Sequence, residues 1–231
     1  SMVLFFLPHA GGSAKSYCTF KRYLPRDLKV VPMELSGRFT RSGEPLLTEV
    51  SACVADLIQT HRLLLEQEPY ALFGHSMGTL LAAELIRQAR TAGLPTPRHA
   101  FMSGRCAPCD GTRMLNADHL SDEELVQFFA QGGLSTAIPD TDPELRRMLN
   151  RILCTDVRMA DRFALTPEEV PFGCDITVLY GKGDHILRNV DLRGWDRFTS
   201  GKCEYFGFSG GHFFFAQHLK EICGLITERI C

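Results

Sequence analysis

The pentapeptide Gly74-His75-Ser76-Met77-Gly78 has the pattern G-x-S-x-G, which is typical of a nucleophilic serine. In this pattern a strand turns sharply into a helix, and the serine hydroxyl is exposed at the apex of the turn. The glycines let the backbone make the turn without side-chain collisions. An apolar stretch over residues 70–73 precedes the motif and an amphipathic helical pattern over residues 79–90 follows it. This context favours a nucleophile elbow over an ordinary strand–helix turn, and we predict that Ser76 is a catalytic nucleophile.

A serine hydroxyl is a poor nucleophile unless a base removes its proton. Among the eight histidines, only His212 follows the last predicted strand through a flexible turn, Ser209-Gly210-Gly211. His218 lies inside the predicted final helix, and His9 belongs to the loop after the first strand, where it could line a pocket. The others have no comparable placement: His61, His75, His99, His119 and His185. We therefore predict that His212 is the general base.

The acid that orients the histidine is predicted to be Asp184. In serine hydrolases with this motif the three residues follow in the order serine, acid, histidine, and catalytic groups gather at the carboxyl ends of parallel strands. Asp184 comes just past the predicted strand 176–180, whereas Asp175 precedes that strand and would lie about 15 Å away at the wrong edge. Asp110 follows the preceding strand and is the remaining rival. The acid accepts the second N–H of His212, fixes its tautomer and stabilises the imidazolium.

Acyl transfer also needs two backbone N–H groups that point at the developing negative oxygen. One is predicted to belong to Met77, directly after the nucleophile. The other is predicted in the loop after the first strand, His9-Ala10-Gly11-Gly12, where small residues let the backbone approach a substrate. A simple turn is the alternative interpretation of this Gly-Gly pair.

Short apolar stretches that alternate with helical patterns predict the elements that carry these residues. The predicted strands cover residues 3–7, 29–33, 70–73, 99–103, 176–180 and 204–208. The predicted helices cover residues 13–24, 48–66, 79–90 and 214–229. Strands that alternate with helices predict an α/β fold with a mainly parallel sheet that is flanked by helices. Residues 1–231 fit a single domain of this kind.

The segment over about residues 105–165 interrupts this alternation. It contains helical patterns that begin near Ser121 and near Asp142, and it has no obvious strand. We predict a helical insertion that forms a lid over the strand ends. The alternative is additional packing at the edge of the sheet.

Composition excludes several functional classes. The formal net charge of −2 gives no electrostatic reason to expect nucleic acid or an anionic membrane as a partner. No apolar run approaches the roughly 18–20 residues of a membrane helix, and the apolar stretch 3–7 is too short for a signal peptide. The nine cysteines are odd in number and irregularly spaced, which indicates reduced thiols and a cytoplasmic location. The pair Cys106-x-x-Cys109 has no second pair, which disfavours a redox or zinc site.

With these residues assembled, the chain strongly resembles the type II thioesterases that accompany polyketide synthases and nonribosomal peptide synthetases. The resemblance spans nearly the whole length and depends on segments that occur together: Leu7-Pro8-His9-Ala10-Gly11-Gly12-Ser13-Ala14, Glu34-Leu35-Ser36-Gly37-Arg38, Arg41, Glu44-Pro45, Phe73-Gly74-His75-Ser76-Met77-Gly78, Ser121-Asp122-Glu123-Glu124-Leu125, Gly132-Gly133, Cys154-Thr155-Asp156 and Gly210-Gly211-His212-Phe213. Ser36 replaces the usual proline of the family and Phe20 the usual tryptophan, and the loop 181–185 is less acidic than usual. These departures bear on substrate preference.

The resemblance implies an α/β-hydrolase fold and hydrolysis of acyl thioesters through an acyl-enzyme intermediate. The substrates would be acyl groups on the phosphopantetheine arm of acyl or peptidyl carrier proteins, which would be the partners. The resemblance assigns the second oxyanion donor to Ala10. It implies no metal and no organic cofactor, because the phosphopantetheine belongs to the substrate.

Other functions remain open from the residues alone. A small-molecule carboxylesterase or lipase would use the same tetrahedral intermediate, and a catalytically silent scaffold could share the fold. Charge gives no independent support for carrier docking, because the predicted insertion holds more acidic than basic residues. A basic patch is conceivable there, but a solvated lid surface is the favoured interpretation of five of its arginines: Arg105, Arg113, Arg147, Arg151 and Arg158.

Overall fold

The computed structural model describes residues 1–108, 115–134, 142–169 and 172–231. Six parallel strands form one sheet in the order β2-β1-β3-β4-β5-β6. The strands are β1 Val3–Leu7, β2 Lys29–Pro32, β3 Tyr70–His75, β4 His99–Ser103, β5 Asp175–Gly181 and β6 Cys203–Phe208. The carboxyl ends of all six strands therefore lie at one edge of the sheet.

Both faces of the sheet are covered by helices, and the central strands β1, β3 and β4 are buried at every position. Alternate residues of β1 enter two different clusters: Val3 and Phe5 pack on one face, and Leu4 and Phe6 on the other. The α-helices are α1 Val50–Thr60, α2 Arg62–Gln67, α3 Met77–Thr91, α4 Asp122–Gln131, α5 Pro143–Arg162 and α6 Leu219–Ile230. Helices α1 and α3 pack on the first face, and α6 packs on the second together with the 3-10 helix Ala14–Arg22.

Three predicted helices differ from the structure, and the one predicted over residues 13–24 is the 3-10 helix Ala14–Arg22. The helix predicted over residues 48–66 is divided at His61, whose backbone (φ −109°, ψ 17°) is not helical and whose ring packs edge-on against Phe5 at 5.6 Å. The final helix begins as a 3-10 turn, Phe214–Gln217, and the α-helix starts only at Leu219. In these last two places the helical pattern is continuous in the sequence although the α-helix is not.

The described part of the predicted insertion contains a 3-10 turn and helices α4 and α5, and no strand. Helix α4 begins where Ser121 and Glu124 form a reciprocal capping box. Helix α5 begins at Pro143. The side chain of Asp142, just before it, accepts the backbone N–H groups of Glu144 and Leu145. The two helices share an apolar cluster that is separate from the sheet clusters.

The eight cysteines that the structure describes all carry free thiols. Burial raises the pKa of Cys174 and of Cys223 to about 12, so these thiols are unreactive at neutral pH. Cys109, the second cysteine of the pair Cys106-x-x-Cys109, lies outside the described residues. No helix in the described ranges is both long and apolar enough to span a bilayer.

We expect the fold to lose stability in acid through His99, the first residue of β4. Its ring is buried and is hydrogen-bonded to Thr177 at 2.7 Å, and burial lowers its pKa to about 4. The unfolded chain binds this proton near pH 6.5, so stability falls as the pH drops from 6.5 towards 4. Between pH 7 and 5 the loss is about 2 kcal/mol for this group.

Urea unfolding of the wild type and of His99→Gln at pH 7 and pH 5 measures this contribution. The decrease in unfolding free energy from pH 7 to pH 5 should be smaller in His99→Gln than in the wild type by about 2 kcal/mol. An equal decrease in both proteins would show that His99 does not carry this pH dependence.

Candidate active site

Ser76 occupies a sharp turn between β3 and α3. Its backbone (φ 56°, ψ −116°) lies in the positive-φ region, which non-glycine residues seldom adopt. Its N–H donates to the carbonyl of Ser103 on the neighbouring strand at 2.7 Å. This anchored and strained turn lifts the side chain out of the strand and towards the carboxyl edge of the sheet.

The two glycines of the motif are required by close backbone contacts. A Cβ atom at Gly74 would collide with the carbonyl group of Gly78, and one at Gly78 would collide with the carbonyl oxygen of Leu7. The start of α3 therefore packs directly on the end of β1. This approach brings Ser76 close to the loop that follows β1.

The structure brings Ser76, His212 and Asp184 together in one hydrogen-bonded chain. Nε2 of His212 is 3.0 Å from Oγ of Ser76, and Nδ1 of His212 is 2.8 Å from Oδ2 of Asp184. His212 and Asp184 are both buried. Because an ionised carboxylate can only accept a hydrogen bond, Nδ1 carries the proton and Nε2 is free to accept from the serine. This is the arrangement that general-base activation of a serine requires.

The loops that carry the acid and the base are hydrogen-bonded to each other. The N–H of Gly183 donates to the carbonyl of Gly210 at 2.9 Å, and the N–H of Lys182 donates to the carbonyl of Phe208 at 2.8 Å. Asp184 uses its second oxygen, Oδ1, to accept the N–H of Ile186 at 3.0 Å. The two loops are thus held by backbone contacts, and the Asp184 side chain has a further hydrogen bond besides the one to His212.

The neighbouring histidines are held neutral. Burial lowers the pKa of His75 well below its usual value, and its Nδ1 lies 2.9 Å from Oγ of Ser103. Burial also lowers the pKa of His9 to about 4, and Nδ1 of His9 lies 2.7 Å from the hydroxyl of Tyr17. A positive charge on His212 during catalysis therefore has no charged histidine beside it.

The other candidates for acid and base lie elsewhere. Asp175 accepts the N–H of Lys202 at 2.8 Å, at the opposite end of β5 from Asp184. Asp110, the rival acid, lies outside the described residues. His218 lies at the start of α6, where its Nε2 contacts the carbonyl of Ser209 at 2.9 Å.

A cavity of about 360 Å³ opens beside Ser76. Ala10 and Met77, the two predicted oxyanion residues, line it together with the serine. Neither backbone N–H donates a hydrogen bond within the described part of the chain. Helices α4 and α5 and the residues after α4 supply most of the apolar wall: Phe128, Phe129, Leu134, Val157 and Ala160. The cavity suits an apolar acyl chain whose carbonyl lies at Ser76.

Sequence reasoning missed two charged residues of this cavity. Arg105 and Asp161 both line it. The interpretation of Arg105 as part of a solvated surface is wrong, since the residue is buried and its NH1 has no hydrogen-bond partner among the described residues. Its position directly after β4, at the catalytic edge of the sheet, was the available signal. Arg158 instead pairs with Asp122 at 2.6 Å on the outer side of the insertion.

His185 also lines the cavity, although its sequence position gave no reason to place it there. It directly follows Asp184 in the 3-10 turn after β5. The described residues contain no group of three metal-ligating side chains.

Comparison with known proteins identifies the family. A family model described as a thioesterase domain matches residues 3–230. A probable cadicidin biosynthesis thioesterase of Streptomyces griseus is 32% identical over 96% of this chain and 61% of its own length. The solved structure of BorB, a type II thioesterase from the borrelidin biosynthetic cluster, is 34% identical, with a TM-score of 0.85 over 99% of this chain and 92% of that chain.

The structure of ClbQ from the colibactin NRPS/PKS pathway is 26% identical, with a TM-score of 0.91 over 99% of this chain and 96% of that chain. The predicted fold class and the resemblance to type II thioesterases are confirmed by these matches. The chain belongs to the thioesterase domain family and is a thioester hydrolase with an α/β-hydrolase fold.

Proposed function

We propose that this protein is an editing thioesterase of the type II class, which hydrolyses acyl groups from the phosphopantetheine arm of acyl or peptidyl carrier proteins. The observation that carries the proposal is the continuous contact from Asp184 through His212 to Ser76. The relatives BorB and ClbQ come from biosynthetic clusters or pathways of this kind, which supports carrier proteins of polyketide or nonribosomal peptide synthases as partners.

In the first half of the reaction, Oγ of Ser76 attacks the thioester carbonyl carbon while Nε2 of His212 takes the hydroxyl proton. The carbonyl oxygen becomes negative and accepts hydrogen bonds from the N–H groups of Met77 and Ala10. When the carbon–sulfur bond breaks, His212 gives its proton to the leaving thiolate. The products are the carrier protein with a free thiol and an acyl ester on Ser76.

In the second half, water replaces the thiol. His212 takes a proton from the water as its oxygen attacks the ester carbonyl, and the same two N–H groups stabilise the negative oxygen. His212 then returns the proton to Oγ of Ser76 as the ester bond breaks. The free acid leaves and the enzyme is restored. Imidazole and backbone N–H groups handle every charge in this scheme, so no metal or organic cofactor takes part in it.

Hydrolysis of matched substrates tests the proposal. The same acyl group is presented on a carrier protein, on coenzyme A and as an oxygen ester, and release of the free acid is followed for the wild type and for Ser76→Ala. We expect the highest kcat/KM on the carrier protein and no turnover by the variant. Good turnover of oxygen esters with none of any thioester would instead identify an esterase. Equal labelling of both proteins by a fluorophosphonate would reject Ser76 as the nucleophile.

A further inference from the structure

A buried ion pair connects α5 to the loop after β2. NH2 of Arg38 lies 2.8 Å from Oδ1 of Asp156, and each side chain is only 1% exposed. Nε of Arg38 also reaches Oδ1 at 3.3 Å, and NH1 donates to the carbonyl of Ser36 at 2.7 Å. A fully buried ion pair is seldom more stabilising than apolar residues of the same size, because both ions lose their hydration. Its presence therefore calls for a role other than stability.

The second oxygen of Asp156 faces the proposed oxyanion loop. Oδ2 accepts the backbone N–H of Gly11 at 2.9 Å, and Gly11 directly follows Ala10. The backbone of Gly11 has a φ of +77°, and Leu153, one turn before Asp156, lies so close that a Cβ atom on Gly11 would be 3.1 Å from its Cδ1. Helix α5 therefore rests directly on this loop and holds it by a charged hydrogen bond.

Hydrogen bonding along the loop leaves one N–H group for a substrate. The N–H of His9 donates to the hydroxyl of Tyr17 at 3.3 Å, that of Gly11 to Asp156, and that of Gly12 to the carbonyl of His9 at 2.9 Å. Within the described part of the chain, the N–H of Ala10 has no such acceptor. The residues on both sides of Ala10 are thus fixed, and Ala10 itself lines the cavity.

We propose that Asp156, itself oriented by Arg38, is a positioning residue that holds the N–H of Ala10 in the direction of the oxyanion. The inference rests on the proposed function, because it assigns Ala10 the role of oxyanion donor. Helix α5 also supplies Val157 and Ala160 to the acyl cavity. The wall that contacts the acyl chain and the support of the oxyanion donor are consequently parts of the same rigid element.

The double variant Arg38→Met/Asp156→Leu tests this role. It removes both charges together, so that no unpaired ion stays buried and the fold is retained. The N–H of Gly11 then has no acceptor, and we expect kcat to fall by about 10- to 100-fold with little change in KM, less than the about 10²–10³-fold effect of deleting a donor.

Two inhibitors separate positioning from a purely structural effect. A trifluoromethyl ketone analogue of the acyl thioester forms a tetrahedral adduct with Ser76 and places a negative oxygen at the N–H groups, whereas an amide analogue stays trigonal. Affinity for the ketone should fall by the same factor as kcat/KM, and affinity for the amide should be unchanged. Equal weakening of both inhibitors, or wild-type kcat/KM in the double variant, would overturn the proposal.

Glu84→Gln is the matched control. Glu84 is a carboxylate with 1% exposure on α3, paired with Arg87 outside the cavity. Its replacement should lower the melting temperature without changing the ratio of the two inhibitor affinities. If Ser76→Ala remained active, the proposed function itself would fail; if Ser76 were essential and the double variant behaved like Glu84→Gln, only the role of Asp156 would fail.

Discussion

Ser76→Ala and His212→Ala should each reduce kcat by about 10⁶-fold, because nucleophile and base act as a unit and neither works alone. In the proposed reaction the proton moves across the 3.0 Å contact between Oγ of Ser76 and Nε2 of His212. Release of free acid from an acyl carrier protein under single-turnover conditions measures the loss. KM should change little, since neither side chain is needed to hold the acyl chain in the cavity.

His218→Ala is the control for the base. His218 is the next histidine along the chain and contacts Ser209 instead of the serine nucleophile. Its replacement should leave kcat within the error of the wild type. A loss in His218→Ala comparable to that in His212→Ala would contradict the assignment.

The second large effect is expected for Asp184→Asn, which should lower kcat by about 10⁴-fold. The asparagine amide can donate to Nδ1 of His212, and the proton then moves to Nε2, which can no longer accept from Ser76. The geometry of the site stays intact while the tautomer becomes the wrong one. Single-turnover kinetics, together with unchanged affinity for the amide inhibitor, distinguishes this effect from a loss of binding.

Two further carboxylates serve as comparisons for Asp184. Asp175→Asn changes the first residue of β5, at the opposite end of that strand from Asp184. Asp110→Asn changes the rival candidate for the acid that sequence order suggested. Both variants should retain nearly full kcat. If Asp110→Asn were the damaging change and Asp184→Asn were mild, the acid would have to be reassigned.

The sequence predicted the strands well because parallel strands are buried on both faces and read as short apolar runs. The predicted strand 99–103 matches β4, and helix α5 begins at Pro143, next to Asp142, where the sequence predicted a helix to begin. The start of α4 at Asp122 likewise agrees with the helical pattern predicted to begin near Ser121. The break at His61 could not be predicted, because the apolar pattern continues across it and the ring contact of His61 with Phe5 joins distant parts of the sequence.

The candidate site likewise has features that the sequence predicts and features that it does not. The spatial proximity of Asp184 and His212 follows from sequence order and from the common edge of parallel strands, so it could be predicted. The contact between Arg38 and Asp156 joins residues 118 positions apart in the sequence, and no spacing rule connects them. The burial of Arg105 depends on how α4 and α5 cover the sheet, which residue types alone do not determine.

The placement of Asp156 on α5 has a consequence for engineering. Redesign of this helix in order to admit larger or smaller acyl groups would also move the carboxylate that supports the loop at Gly11, so a variant with a new chamber would lose turnover. Mutations at Phe129 or Leu134 alter the size of the chamber from other segments. Substrate range is therefore best redesigned at Phe129 and Leu134, with α5 left unchanged.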